Sequence, residues 1–143
     1  MITDALLDFI AKHECIGGKP NLTAYQDTLG IWTIGYGHNI QEKPIRSARA
    51  RDIFKDDVQD AIDDCVHAFP WFLEITEARQ HVIIDMMFNL GLPRLSKFKN
   101  FLIAMELGDY ETAADHMLDS LWAKQVKGRA LELASMIRGS EEV

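Results

Sequence analysis

The chain has 143 residues, 48% of them hydrophobic, 26% charged, and a formal net charge of −7. That is enough for one domain with a real core, burying about two-thirds of its unfolded surface. An acidic balance argues against nucleic-acid binding, which needs a basic face, no apolar run is long enough for a stable membrane insertion, and two cysteines cannot define a disulfide framework.

Ile2, Leu6, Phe9, Ile10 and His13 recur at helical spacing, predicting a surface helix over about 3–14 that Gly17-Gly18 and Pro20 then stop. Glu14 falls in its last turn, where the negative end of the helix dipole disfavours a second negative charge. That favours the protonated carboxyl a general acid needs. From Leu22 to Gly37 the residues become β-type, with Gly30 as the turn of two antiparallel strands. Asp27 lies beside the turn, a wet and polar place that suits a carboxylate. Thr33, on the neighbouring strand, has a hydroxyl that can donate and accept and so hold a water. Gly35 and Gly37 leave backbone open to a bulky ligand. One acid on a helix end and one carboxylate on a facing strand are the minimal equipment for splitting a glycosidic bond.

Arg46 to Ala68 reads as one long helix with Ser47 as N-cap and Pro70 beyond its end. Thr76 caps the next, whose run Val82 to Phe88 is apolar on nearly all sides, so a central, buried helix ended by Gly91 and Pro93 is expected. Phe98, Phe101, Leu102 and Met105 mark a helix closed by Gly108. Tyr110, Ala113, Ala114, Met117 and Leu121 mark another, and a last one covers about 127–137. The expected architecture is α+β: an α/β lobe over about 1–45 with a β-hairpin, a connecting helix over 46–70 and an all-helical lobe over 71–143, with a cleft between lobes.

The fourteen residues Tyr25-Gln26-Asp27-Thr28-Leu29-Gly30-Ile31-Trp32-Thr33-Ile34-Gly35-Tyr36-Gly37-His38, preceded by Glu14, resemble the active-site hairpin of the phage-type lysozymes, the muramidases of glycoside hydrolase family 24. The likeness runs along nearly the whole chain, through Phe88-Asn89-Leu90-Gly91 and Ser120-Leu121-Trp122. It implies a lysozyme-like fold, no cofactor and no metal, and a catalytic set of Glu14, Asp27 and Thr33. Glu14 would protonate the oxygen between N-acetylmuramic acid and N-acetylglucosamine while Asp27 and Thr33 position the attacking water. The carboxyls would then stand roughly 6.5–9.5 Å apart, with inversion at the anomeric carbon.

By position the resemblance also implies that Arg129 pairs with the catalytic Glu and that His38 braces the fold through an ion pair with Asp57. It offers Phe88, Asn39 and His116 as sugar contacts. The loop Cys15 to Ala24 is longer than in the family's best-known member, and its Gly and Pro content predicts an extra turn. Asp63 and His67 lie one helical turn apart but are too few for a metal site.

An N-terminus with acidic residues and no basic start is not read as a signal peptide, and the cysteines are read as free thiols of a reducing cytoplasm. The expected setting is therefore a monomeric endolysin, made in the host cytoplasm, which a holin releases to act on peptidoglycan glycan strands. Its negative charge makes long-range steering to an anionic wall weak, leaving Lys124, Lys127 and Arg129 as a local basic rim within the reach of about 8 Å that screening allows. Three rivals remain: a lytic transglycosylase, which needs no water-holding Asp27 and Thr33; a chitinase; and an inactive glycan-binding domain, which needs no titratable pair.

Overall fold

Thr3 opens the first helix, α1 (Asp4–Glu14), by accepting a hydrogen bond from the Leu6 amide at 3.1 Å. The computed structural model describes residues 1–139 and divides into an N-terminal unit, Met1–Asp52, and a C-terminal unit, Ile53–Val143. After α1 the chain makes the extra turn expected of the long loop, a 3-10 turn over Ile16–Gly18, with Gly17 in the left-handed region at φ 66°. Strands β1 (Asn21–Gln26) and β2 (Trp32–Gly35) follow, then β3 (His38–Asn39).

The three form an antiparallel sheet in sequence order. Tyr25 faces Thr33 and Gln26 faces Trp32, but the register slips between Tyr25 and Asn21, which faces Gly35. Thr33 in turn faces Asn39 across the second ladder. Two strands were expected here, and β3 is the addition. It is only two residues long, too short to carry periodicity, and exists because β2 offers it an edge.

Helix α2 (Ser47–Ala68) matches the expected long helix, and the division between the units falls inside it. Ser47 is not its cap. The amides of Arg49 and Ala50 both reach the Arg46 carbonyl, at 2.9 and 3.0 Å, so Arg46 holds that position.

In the C-terminal unit α3 (Glu77–Leu90) is capped by Thr76 as expected. It buries Val82, Ile83, Met86 and Met87 while leaving Phe88 44% exposed, so its burial is one-sided at the C-terminal end. Gly91, at φ 77°, ends it, and a short helix α4 (Leu92–Leu95) follows with Pro93 in its first turn. Next come α5 (Lys99–Leu107), closed by left-handed Gly108, α6 (Tyr110–Leu118), α7 (Leu121–Val126) and α8 (Gly128–Arg138). The stretch from Tyr110 to Leu121, read as one helix, is two, because the Ser120 hydroxyl accepts the Ala123 amide at 3.1 Å and starts a new helix there.

The buried apolar cluster runs from Ala61 and Cys65 on α2 through Phe72, Ile83, Met86, Leu95, Phe101, Met105 and Met117 to Ile137 on α8. A small antiparallel sheet in the N-terminal part and helices in the C-terminal part make this an α+β fold.

Candidate active site

Glu14 is the last residue of α1 and is exposed. Its carboxyl comes up against the turn between β2 and β3: a Cβ built on Gly37 would lie 3.1 Å from Glu14 Oε2. Gly37 also sits at φ 78°, where a side chain is strained. The sequence suggests open backbone for a ligand at both Gly35 and Gly37. Gly35 is open, whereas the room at Gly37 is used by Glu14.

Asp27 and Thr33 are both tied to the main chain of Ile31. Asp27 Oδ1 accepts the amides of Leu29 at 2.8 Å and Ile31 at 2.9 Å, while its backbone amide donates to the Ile31 carbonyl at 2.9 Å. Among the described residues Oδ2 has no hydrogen-bond partner, so that oxygen is available to a ligand. Thr33 is buried, and its hydroxyl donates to the Ile31 carbonyl at 2.9 Å. Its proton is committed, and what it can offer a water is its lone pairs. The turn thus ties a carboxylate and a buried hydroxyl to the main chain of one residue, and the same unit carries Glu14.

A cavity of about 480 Å3 adjoins Glu14, lined by Cys15, Ile16, Lys19, Asn21, Leu22 and Tyr25 among others, so the long loop forms one wall beside the acid. The Cys15 thiol makes a long contact of 3.8 Å to the Gly35 carbonyl.

The other expected residues separate by role. Asn39 faces Thr33, but its side chain is spent locally, accepting the amides of Gln41 and Glu42 at 3.1 and 2.9 Å and donating to Glu42 Oε2. His38 faces Ile34, and its Nε2 is buried with no hydrogen-bond partner among the described residues. Asp57 is exposed on the part of α2 that belongs to the C-terminal unit.

Arg129, on α8, holds Asp85 of α3 through Nε at 2.8 Å and Nη2 at 2.7 Å. No local signal marks Asp85, since its partner lies 44 positions away on another helix. With Phe54, Val58, Ile62, Ile84 and Phe88 this pair lines an apolar groove of about 400 Å3 within the C-terminal unit. There Phe88 meets Phe54 edge to face at 5.8 Å. His116 lines a different hollow, of about 330 Å3, with Lys97, Phe98, Lys99, Ser120 and Trp122. Phe88 and His116 therefore line different hollows.

Among the described residues no three His, Cys, Asp or Glu side chains are grouped to hold a metal, and no helix is long and apolar enough to cross a membrane. Burial, and next to it the charge of Asp64, pushes the Cys65 thiol up from 9.0 to about 12.

The sequence model of the Phage lysozyme family matches residues 17–141, which include Asp27 and Thr33. The chain belongs to the phage lysozyme family. The matched span begins three residues after Glu14, which ends α1 and lies against Gly37 in the turn between β2 and β3.

Relatives of the chain include the pre-baseplate central spike protein Gp5 of Enterobacteria phage T4, which is 30% identical. That similarity covers 81% of the chain and 25% of Gp5, so the chain spans about a quarter of the spike protein. It is 26% identical to probable T4-type lysozyme 1 of Dictyostelium discoideum, over 81% of the chain and 85% of that protein. It is also 26% identical to the endolysin of Acyrthosiphon pisum secondary endosymbiont phage 1, over 96% and 90%.

Proposed function

We propose that this chain is a muramidase that hydrolyses the β-1,4 bond between N-acetylmuramic acid and N-acetylglucosamine in bacterial peptidoglycan. The observation that carries the reading is the hairpin around Ile31, where Asp27 and Thr33 are both fixed to one residue's main chain while Glu14 rests against the turn leaving β2. Glu14 is the general acid, giving its proton to the leaving oxygen. The free Oδ2 of Asp27 takes a proton from water as that water attacks the anomeric carbon, and the lone pairs of Thr33 orient it. A water between acid and base calls for carboxyls roughly 6.5–9.5 Å apart and for an inverted anomeric product.

The biological reading is an endolysin, acting on the host wall at the end of a phage cycle after a holin opens the inner membrane. Its support is the similarity, over nearly the whole of both chains, to a protein named endolysin.

The test is digestion of purified Gram-negative peptidoglycan by wild type and by Glu14→Gln, with the released muropeptides read by mass spectrometry. Products ending in reducing N-acetylmuramic acid, absent with the variant, support the reading. Anhydro products would move the chain to the lytic transglycosylases, and no release by folded wild type would make it a glycan-binding domain.

A further inference from the structure

His38 on β3 and the first turn of α2 bound a hollow of about 650 Å3 in the N-terminal unit, with Lys43, Pro44, Ile45, Arg46 and Arg49 as its other walls. That volume is in the range of small-ligand sites. The hollow shares no residue with the cavity beside Glu14, and neither Asp27 nor Thr33 lines it. In a chain of net charge −7, three cationic side chains stand together here. Asp52 answers Arg49 at 2.8 Å, whereas Lys43 and Arg46 have no ion-pair partner among the described residues. The acid next to Lys43 in the chain, Glu42, accepts from the Asn39 side-chain amide at 3.1 Å.

Two further features add to the unmet polarity. The first amides of a helix have no partner within it, so the positive end of the 22-residue α2 opens where Arg46 caps it. The Nε2 of His38 is buried without a hydrogen-bond partner among the described residues, an uncommitted polar atom in the same wall. Like charges held together without counter-charge repel one another, a cost that a bound anion relieves.

The charge and its placement select the anion. Two unanswered cations call for a dianion. A helix start beside a guanidinium favours oxygens carried on one centre, because main-chain amides and paired guanidinium N–H groups then reach the same group. A phosphate monoester meets both conditions, with about −1.5 to −2 charges near neutrality and three unesterified oxygens. A carboxylate brings one charge, and a dicarboxylate spreads two over separate centres. Pro44 and the exposed Ile45 give the hollow an apolar margin that the carbon skeleton carrying the ester can cover.

We propose that this hollow binds a phosphate monoester, either a small soluble one or the head of a lipid. It stands apart from the hairpin to which bond cleavage is assigned, and its occupancy does not depend on the muramidase reading.

The experiment is a titration of the full-length 15N-labelled chain with glycerol 3-phosphate at constant pH and ionic strength, beside succinate and chloride. Saturable amide shifts are expected at His38 and over residues 43–49, at concentrations where succinate and chloride leave those amides in place. Affinity should fall about tenfold or more in the Lys43→Gln, Arg46→Gln double variant, as loss of charge-assisted contacts requires. Co-sedimentation with phosphatidylcholine vesicles, with and without phosphatidic acid, then separates the two sources. Binding only to vesicles that contain phosphatidic acid, released by glycerol 3-phosphate, identifies the lipid head, and any other pattern leaves the soluble ester. Absence of saturable shifts, equal shifts with succinate or chloride, or affinity unchanged in the folded double variant would each overturn the proposal. The wild-type titration with its two controls decides even if the double variant does not fold.

Discussion

Asp27 divides its carboxylate between two tasks, with Oδ1 holding the turn through the Leu29 and Ile31 amides and Oδ2 left for the base role proposed for it. The two tasks separate by mutation. Asp27→Asn keeps an oxygen in the Oδ1 position and removes the charge. Its melting temperature should therefore stay near wild type, while the hydrolysis rate falls about 10²- to 10⁴-fold. Asp27→Ala removes the acceptor as well, and should cost about 1 kcal/mol of stability in addition. Thermal unfolding of both variants beside muropeptide release checks this, and an Asn variant that is active sinks the assignment of Asp27 as base. Gly37→Ala should act differently, since its φ of 78° costs an alanine about 1–2 kcal/mol and its new methyl meets Glu14 Oε2. The carboxyl can swing aside, so the expected result is a lower melting temperature and a reduced kcat with little change in KM. Wild-type kcat in that variant would mean that Glu14 works from another position.

Among the elements, α3 and α8 are joined by a buried arginine. Arg79 donates through Nε to the Ile137 carbonyl at 2.7 Å and through Nη2 to the Arg138 carbonyl at 3.3 Å, and its guanidinium stacks on Tyr110 at 3.7 Å. These are the last carbonyls of α8, which have no partner within the helix, and a cation there also suits the helix dipole. Arg79→Leu should destabilise the chain by about 1–3 kcal/mol for each buried acceptor left unmade, read as a lowered urea midpoint. An unchanged midpoint would mean that water replaces the guanidinium. Nothing in the sequence around Arg79 announces this role, because its acceptors lie 58 and 59 positions on.

α1, the hairpin of β1 and β2, α2 and the Gly108 stop all follow from local periodicity and local capping, and the Asp27 and Thr33 positions follow from a contiguous motif. β3, the Arg129–Asp85 pair and the Arg79 caps depend on residues brought together by folding, which no window of sequence contains. The break before α7 was readable, since Ser120 is an ordinary N-cap residue set inside an apolar run that hid it.

At the scale of the whole molecule, the two thiols report on different parts of the chain. Cys15 is half-buried in the N-terminal unit and Cys65 is fully buried in the apolar cluster. A disulfide-exchange reagent should therefore titrate Cys15 alone in the folded protein and reach Cys65 only when the cluster opens. Two equivalents released at once would contradict the burial of Cys65.

The raised Cys65 value also has a pH consequence. The folded chain holds that proton more tightly than the unfolded one, whose thiol titrates near 9.0. The contribution is thus complete below about pH 9 and is lost as pH rises towards about 12. Melting curves from pH 7 to 10.5 should fall at the alkaline end, and the fall should be shallower in Cys65→Ala even though that variant starts lower.

Helix α2 begins with Arg49 and Arg51 and then carries Asp52, Asp56, Asp57, Asp60, Asp63 and Asp64. One rod of 22 residues is therefore electrically polar, with two arginines at one end and, apart from Lys55, its anions along the rest. In the field of a polyanion such a rod feels a torque as well as a net repulsion. It turns its Arg49 end forward before contact, and its rate of productive encounter depends on ionic strength through orientation as well as attraction.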